Sequence, residues 1–386
     1  MTALSFADPI NLPEELVMMR DQVRRFVETE IVPNGDAWEE AEMIPREIFR
    51  KLGDMGVLGM RHPVEYGGTD LGPVASILLA EELGRSTYGG VPASVTVHTD
   101  MSATHISRRG SPEQKQKYLP GACAGTKIAA IAVTEPGAGS DVAGLKTRAV
   151  RDGDDFVING SKIYITNGIY ADFYIVAART DPEAKGSRGI SLFLVDKGTP
   201  GLIVGKKLRK HGDLCSDTAE LFFEDLRVPA DSLLGELHKG FYAIMDNFQN
   251  ERMVLAGFSL GACMRALELT LEHTRTRKAF GGTLWDLQAT RQKIAMLATK
   301  VSAARALTYH AAQMDAQGLD CIIEISQAKI FACETHVEVV NACLQLHGGM
   351  GFMHGTPIER MTRDARIQTI GGGASEVMLE EIAKRL

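Results

Sequence analysis

The sequence predicts an α+β fold in which a helical domain, a small antiparallel β domain and a helical bundle follow one another. The first observation is proline placement: thirteen of the fourteen prolines lie between Pro9 and Pro229, and the last is Pro357. The second is a change of period, because apolar residues recur every three or four positions at both ends but form strand-like runs in the middle. We therefore expect domains at residues 1–121, 122–235 and 236–386, the last a four-helix bundle, since helix interiors exclude proline.

The first domain is predicted to be built from short helices. Its opening segment carries one apolar stripe at helical spacing, made by Leu16, Met19, Val23, Phe26, Val27 and Ile31. Further helices are expected at about 45–55, 72–84, 92–109 and 112–119, separated by glycines and prolines.

The middle and last domains follow from their own patterns. The runs "DFYIVAAR", "GISLFLVD" and "AELFFEDLRV" are rich in β-formers and bounded by turn residues, which indicates strands. After them, three long helices are predicted: one containing the stripe from Phe241 to Ala266, one over about 287–316 and one over about 320–346.

Composition excludes several classes of function. The chain has 386 residues and a net charge of -7, which argues against nucleic acid as a general partner. Its six cysteines form no CxxC pair, and the N-terminal segment lacks the pattern of a signal peptide, so we expect a cytoplasmic protein. No stretch is expected to approach the length of a membrane span, and no membrane partner is expected. His347 and His354 are separated by glycines, and no metal site is predicted.

Two segments of the middle domain look suited to a polar ligand. "AVTEPGAGSDVAG" contains a glycine-rich turn that could present N–H groups and hydroxyls, although an ordinary turn with Ser140 as a helix cap is an equal alternative. In "KIYITNG", strand alternation places Tyr164 and Thr166 on one face, as a flat ring with a hydrogen-bonding edge requires. A plain half-buried strand is the alternative.

Two segments of the last domain combine glycine with basic or polar residues. "RTRKAFGGTLWDLQ" ends a helix with basic side chains, which either complement the helix dipole or bind phosphate. "QLHGGMGF" breaks a long helix with three glycines in four positions, more than a helix C-cap requires.

An acidic residue and a glycine run raise the question of catalysis. Glu251, in "FQNERMVLAG", lies beside an apolar helical stripe, where a carboxyl has a raised pKa and can act as a general base. Pairing with an arginine at the edge of the stripe is the alternative. In "TIGGGASEVM", residues 371–373 are all glycine, which indicates either a hinge or a close approach of backbone to another group.

Taken together, these segments resemble the acyl-CoA dehydrogenase family. "AVTEPGAGSD", "KIYITNG", "RKAFG" with Gln288, "QLHGGMGF" and "RDARIQTIGGGASEV" occur in the family's order over nearly the whole chain. The resemblance implies an FAD enzyme, usually a homotetramer, that dehydrogenates an acyl-CoA thioester and passes electrons to an electron-transfer flavoprotein.

The resemblance also implies a set of cofactor contacts. Residues 131–140 would meet the isoalloxazine, Tyr164 would pack near the ring and Thr166 would bond near N5. A second group, with Arg277, Phe280, Gln345 and Gly349, would reach the FAD of a neighbouring subunit. A third group, Ala374, Ser375 and Glu376, would contact the FAD of its own subunit. The full set is Ile131, Val133, Thr134, Gly139, Ser140, Tyr164, Thr166, Arg277, Phe280, Gln288, Gln345, Gly348, Gly349, Ala374, Ser375 and Glu376.

The catalytic base is where the chain departs from the commonest family pattern. Many members carry the base in a Tyr-Glu-Gly-Thr stretch, but here Gly372 stands at the glutamate position. In the isovaleryl-CoA and long-chain branches, a stretch like "ERLVLAG" supplies the base, which points to Glu251 here. The backbone N–H of Gly372 would still bond the thioester oxygen, and the loss of bulk there would widen the acyl channel for a branched group.

Substrate contacts and the class of activity follow from the same resemblance. Ser140, Arg252, Gly372 and Gly373 resemble substrate-side residues, although a structural ion pair is the alternative for Arg252. A related oxidase or other thioester enzyme, and a non-catalytic flavoprotein assembly subunit, are the alternative functions. Branched short-chain, medium straight-chain and terpenoid acyl groups remain open as substrates.

Overall fold

The computed structural model describes residues 4–386, and its first domain consists of helices, as predicted. They are α1 Glu14–Phe26, α2 Gly35–Ala41, α3 Arg46–Asp54, α4 Gly72–Gly84, α5 Gly90–Thr96, α6 Thr104–Arg109 and α7 Pro112–Cys123. The predicted helix at 92–109 is confirmed, but its centre, Val97–Ala103, is a π-helix that joins α5 to α6. Because a π-helix is wound more widely, its carbonyl groups are displaced from the α-helical pattern, a feature common near functional sites.

The middle domain is a twisted sheet. Its strands are β1 Ala129–Ala132, β2 Arg148–Asp152, β3 Asp155–Thr166, β4 Phe173–Arg179, β5 Ile190–Asp196, β6 Leu202–Lys207, β7 Thr218–Pro229 and β8 Leu233–Leu234. They lie in the order β6-β7-β3-β2-β4-β5-β8, and β1 pairs with β4 from outside this path.

The prediction of a purely antiparallel sheet is wrong at β4. Both β1 and β2 run parallel to this strand, β1 over four residue pairs and β2 through the pair Arg148–Arg179. Residues 133–172 connect β1 to β4 and residues 153–172 connect β2 to β4, and connections of that length do not force the antiparallel direction that a tight hairpin imposes.

The last domain is helical, but it has three long helices among residues 4–386 rather than four. The long helices are α8 Gly240–Thr276, α9 Gln288–Ala316 and α10 Ile322–His347. A short hairpin, made of β9 Lys278–Ala279 and β10 Gly282–Thr283, joins α8 to α9. The short helices are α11 Gly349–Phe352, α12 Pro357–Ala365 and α13 Ser375–Ala383. Glycines and Pro357 interrupt the chain after α10, which prevents a fourth long helix from forming.

Helix α8 is long and apolar enough to cross a membrane by length and composition, so the expectation that no stretch qualifies is wrong. In the fold, 78% of its most apolar window is buried. Its apolar surface is covered by neighbouring helices, which is the arrangement of a core helix. Gly261 shows how closely they pack, because a Cβ atom there would overlap the carbonyl group of Glu81 on α4.

Candidate active site

Glu251 lies in the first half of α8 and is buried, with 5% of its surface exposed. Its Oε1 accepts a hydrogen bond of 3.1 Å from Nδ2 of Asn247, one helical turn earlier. Burial raises the pKa of Glu251 to about 8, against smaller opposing effects from the Asn247 bond and the nearby charge of Arg252. A carboxyl group with this pKa can take up and release a proton near neutral pH.

Two asparagines attach this part of α8 to the π-helix. Asn247 Nδ2 lies 3.2 Å from the carbonyl oxygens of both Asp100 and Met101, and Asn250 Nδ2 donates to Asp100 O at 2.8 Å. The π-helical backbone therefore fixes the amide that bonds the Glu251 carboxyl. Sequence reasoning missed both asparagines, although polar residues one and four positions before an acid on a buried helix were a usable signal.

Arg252 is buried as well, with 4% exposure, and points to another side of α8. Its guanidinium lies 5.8 Å from the centre of the Phe248 ring and donates a long bond of 3.4 Å to Gln249 Oε1. Its Nε has no hydrogen-bond partner among residues 4–386. The structural ion pair considered from the sequence is therefore not formed within the described chain, and Glu251 is not paired with Arg252.

The glycine run approaches α8 closely. Gly372 has φ +62° and Gly373 has φ +101°, which is the left-handed region that favours glycine. A Cβ atom on Gly372 would overlap Cδ1 of Leu255, which lies one turn after Glu251 on the same face of α8. Close approach is thus confirmed over a free hinge. The wider acyl channel stays a prediction, and the side chain that lies directly against Gly372 is that of Leu255.

The glycine-rich turn after β1 is held by a buried ion pair. Glu135 and Lys162 are both buried and lie 2.7 Å apart, and Lys162 Nζ also donates to Val133 O at 2.9 Å. The carboxylate of Glu135 further accepts the backbone N–H groups of Lys146 and Thr147 at 2.6 and 2.9 Å. Desolvation lowers the pKa of Lys162 to about 8, and the net effect on the pKa of Glu135 is a lowering because of the Lys162 charge. Sequence reasoning missed this pair.

The predicted ligand-facing residues of the turn lie around that anchor. Ile131, Val133 and Thr134 are half-buried, whereas Gly139 and Ser140 are exposed. Ser140 caps no helix, because the following 3-10 turn starts after Asp141 without a side-chain cap. The carbonyl of Thr134 accepts the N–H of Ile163 at 3.0 Å, which attaches the turn directly to β3.

Tyr164 and Thr166 are not related by the simple alternation expected from the sequence. The pairing of β3 with β7 shifts between Lys162 and Ile165, and Tyr164 lies in this irregularity at φ +61° with 66% of its surface exposed. A bulge turns a side chain away from the direction that the pleat gives it. The exposed ring therefore stands out from the sheet beside the glycine-rich turn.

A second group of predicted residues gathers at the far end of the bundle. Arg277, Gln288 and Gln345 are exposed there, and Phe280, in the β9–β10 hairpin, is 92% exposed at φ +53°. Gly348 ends α10 at φ +62° and Gly349 begins α11. The rings of His273 and His347 are 4.3 Å apart, which shows that the ends of α8 and α10 are neighbours.

The second group of predicted residues, at the far end of the bundle, lies a long way from Glu251. About 25 residues of α8 separate Glu251 from the end of the helix, which at about 1.5 Å per residue is about 38 Å. A third set of predicted residues stays with Glu251, because Ala374, Ser375 and Glu376 directly follow the glycine run at the start of α13. Ser375 Oγ donates to Glu334 Oε1 at 2.6 Å and is half-buried, and Glu376 is exposed.

All three domains match known proteins. Family models match over residues 13–126 (acyl-CoA dehydrogenase, N-terminal domain), 130–226 (middle domain) and 238–386 (C-terminal domain). The chain belongs to the acyl-CoA dehydrogenase family. It is 41% identical over 371 residues to the mitochondrial long-chain specific acyl-CoA dehydrogenase of Rattus norvegicus, covering 96% of this chain and 86% of the relative.

Solved structures of the family agree with this assignment. A chain from work on the electron transferring flavoprotein of Acidaminococcus fermentans is 37% identical, with a TM-score of 0.94 over 97% of this chain and 98% of that one. A glutaryl-CoA dehydrogenase of Mycobacterium smegmatis in complex with FADH2 is 33% identical, with a TM-score of 0.91 over 97% and 95%. The chain is thus an FAD-dependent oxidoreductase that dehydrogenates acyl-CoA thioesters, which confirms the predicted family, activity and cofactor.

The described residues fit an acyl-CoA dehydrogenase that holds a flavin. The anchored glycine-rich turn and the exposed Tyr164 ring border the same strand, and Thr166 is half-buried at its end. In residues 4–386, no group of three or more His, Cys, Asp or Glu side chains is arranged to hold a metal ion.

Proposed function

We propose that Glu251 is the catalytic base that removes the α proton of the acyl-CoA thioester. The observation that carries this proposal is its position: a buried, unpaired carboxyl with a pKa of about 8 lies one helical turn from Leu255, which contacts the glycine run. Burial disfavours the ionised form of the carboxyl, so that its carboxylate is a stronger base than an exposed one. Asn247 bonds one carboxyl oxygen and leaves the other free for the substrate.

The backbone N–H of Gly372 is the proposed donor to the thioester oxygen. This N–H has no hydrogen-bond acceptor among residues 4–386. Gly372 contacts Leu255, and Leu255 lies about 6 Å from Glu251 because side chains four positions apart are neighbours on a helix. The Gly372 N–H therefore lies near Glu251. A donor at this oxygen stabilises the negative charge that develops when the α proton leaves. When bound, FAD supplies the acceptor for the β hydrogen, which leaves as hydride.

The two separated groups of cofactor residues support an oligomer. We infer that residues 131–140, Tyr164, Thr166 and residues 374–376 serve the flavin of their own subunit. Arg277, Phe280, Gln288, Gln345 and residues 348–349 then serve the FAD of a neighbour, because about 38 Å of helix separates them from Glu251. A tetramer, as is usual for the family, accounts for the exposed apolar Phe280 and Phe352, which are 92% and 79% exposed in the isolated chain.

The remaining assignments are inferences of the same kind. An electron-transfer flavoprotein is the proposed acceptor, in line with the similarity to the Acidaminococcus fermentans chain. A cytoplasmic location is supported by the six cysteines, all buried and free. Ser140 and Arg252 are proposed on the substrate side from the resemblance alone. A branched acyl group is one candidate substrate beside straight chains, and Leu255 is the side chain that limits it at Gly372.

An anaerobic titration with a panel of short, branched, medium and terpenoid acyl-CoAs tests the proposal. Flavin bleaching identifies the substrate class, and Glu251→Gln should abolish at least about 99% of the bleaching rate. Glu272→Gln, an exposed acid on the same helix, is the matched control and should bleach normally. Bleaching by Glu251→Gln at the wild-type rate would refute the assignment of the base.

The same titration separates the alternatives. Rapid reaction of the bleached flavin with oxygen identifies an oxidase. A yellow protein that bleaches with no thioester favours the non-catalytic assembly subunit.

A further inference from the structure

Lys329 on α10 is completely buried, with 0% of its surface exposed, and takes part in no ion pair among residues 4–386. Its Nζ donates a hydrogen bond of 2.5 Å to the carbonyl oxygen of Gly373. An ammonium group buried without a carboxylate partner is costly to the fold, and such groups concentrate at functional sites.

The acids near Lys329 are engaged elsewhere or lie farther away. Glu334, on the same helix, accepts the hydroxyl of Ser375 at 2.6 Å, and Glu376 is exposed. Cys333 and the guanidinium of Arg252 are its other charged or titratable neighbours. Burial, together with the positive charge of Arg252, lowers the pKa of Lys329. Two buried cationic groups, Lys329 and Arg252, therefore lie close to Gly373.

The hydrogen bond from Lys329 restrains the C-terminal end of the glycine run. The run is attached at its start, where the N–H of Gly371 donates to Ile367 O at 2.8 Å. Gly372 and Gly373 have no side chains to pack, and glycine backbone is the most mobile of all residue types. The second attachment is Lys329, at the carbonyl directly after the Gly372–Gly373 peptide. These two hydrogen bonds restrain the backbone on either side of the Gly372 N–H.

We propose that Lys329 is a positioning residue that aims the Gly372 N–H at the thioester oxygen, and that its charge stabilises the negative charge developing on that oxygen. The step it assists breaks the α C–H bond: the proton goes to the Glu251 carboxylate, and the electron pair delocalises onto the thioester oxygen as an enolate. This inference rests on the roles proposed above for Glu251 and Gly372.

The test uses the FAD-loaded protein and an acyl-CoA in which sulfur replaces the β carbon. This analogue can lose its α proton but cannot lose a β hydride, and its enolate gives a long-wavelength absorbance beside oxidised flavin. The pH at which half of the bound analogue is ionised reports α-proton acidity, and the affinity for un-ionised analogue at low pH reports binding separately. In Lys329→Met, we expect acidity to fall about 10- to 100-fold, as for a misaligned oxyanion donor, with less than a threefold change in affinity.

The control is Ser326→Ala, one turn earlier on α10, whose buried hydroxyl bonds only Ile322 O of its own helix. It should ionise the analogue as the wild type does. Wild-type acidity in Lys329→Met overturns the inference. If Lys329→Met does not fold with flavin, Lys329→Gln replaces it, and wild-type acidity there overturns the inference equally.

A third variant distinguishes this inference from the proposed function beneath it. Glu251→Gln should not ionise the analogue at any pH. If it does, the proposed base is wrong and the inference falls with it. If it does not, while Lys329→Met matches the wild type, only the role of Lys329 is refuted.

Discussion

The pH dependence of turnover should follow the ionisation of Glu251. Burial raises the pKa of this carboxyl from 4.5 to about 8, and the base must be ionised to accept a proton. For a pKa of about 8, about 9% of the free enzyme carries the active carboxylate at pH 7 and about 90% at pH 9. We therefore expect kcat/KM to rise about tenfold between these pH values.

Removing the bond from Asn247 should shift this profile. That bond favours the ionised carboxylate, so Asn247→Ala raises the pKa of Glu251 further. A hydrogen bond to a charged group is worth about 1.5–3 kcal/mol, or about one to two pH units. The rise in kcat/KM should move to higher pH by about that amount.

The assay is the initial rate of anaerobic flavin bleaching at low substrate concentration between pH 6 and pH 10. Asn341→Ala, an exposed asparagine of α10, is the control and should keep the wild-type profile. A rate that is flat across this range in the wild type, or an Asn247→Ala profile shifted to lower pH, would refute the reasoning about the environment of Glu251.

Three further outcomes are expected. In Gly372→Ala, the new side chain meets a left-handed φ and overlaps Leu255 of α8, so the variant should lose about 1–3 kcal/mol of stability and most of its turnover. The control is Gly355→Ala, at φ +88° in open surroundings, which should keep its turnover. Melting curves and kcat measure both effects. Lys162→Met leaves Glu135 buried without its partner, so the free energy of unfolding should fall by about 3–5 kcal/mol and the FAD content should decrease. Adding Glu135→Gln to this variant should restore part of the stability and part of the FAD content. Melting curves measure the stability, and flavin absorbance measures the FAD content. Arg277→Ala should release FAD more readily on dilution, seen as flavin fluorescence; unchanged retention would count against a phosphate contact there.

Stability should show the opposite pH trend from activity. Glu251 binds its proton more tightly in the folded enzyme than in the unfolded chain, so the folded state loses stability as pH rises from about 4.5 to about 8. The inactive Glu251→Gln variant should therefore melt at a higher temperature than the wild type above pH 8, and the difference should vanish near pH 5. A constant difference at all pH values would contradict the raised pKa.

Several features could be predicted from the sequence because they depend on neighbours along the chain. The absence of proline between 230 and 356 and the three-to-four spacing of apolar residues located α8, α9 and α10. The position of Glu251 beside an apolar stripe indicated a buried carboxyl, since helical geometry fixes which side chains share a face. Ordered motifs along the chain indicated the family.

Other features depend on contacts between distant segments, which no local period encodes. The parallel pairing of β1 with β4 and the bulge at Tyr164 were mispredicted because alternation says nothing about strand direction or register. The glycine run predicted a close approach, but not that Leu255, more than 100 residues earlier in the chain, is the side chain that lies against Gly372.

The sequence by itself determined the order of the domains and the glycine-rich segments, and it singled out Glu251 as the candidate base, because residue type and helical or strand period are local properties. Only the tertiary structure brought Asn247 to the π-helix, Lys162 to Glu135 and Lys329 to Gly373. Each of these polar groups is held by a partner from another segment, because burying a polar group is tolerable only where the fold supplies that partner.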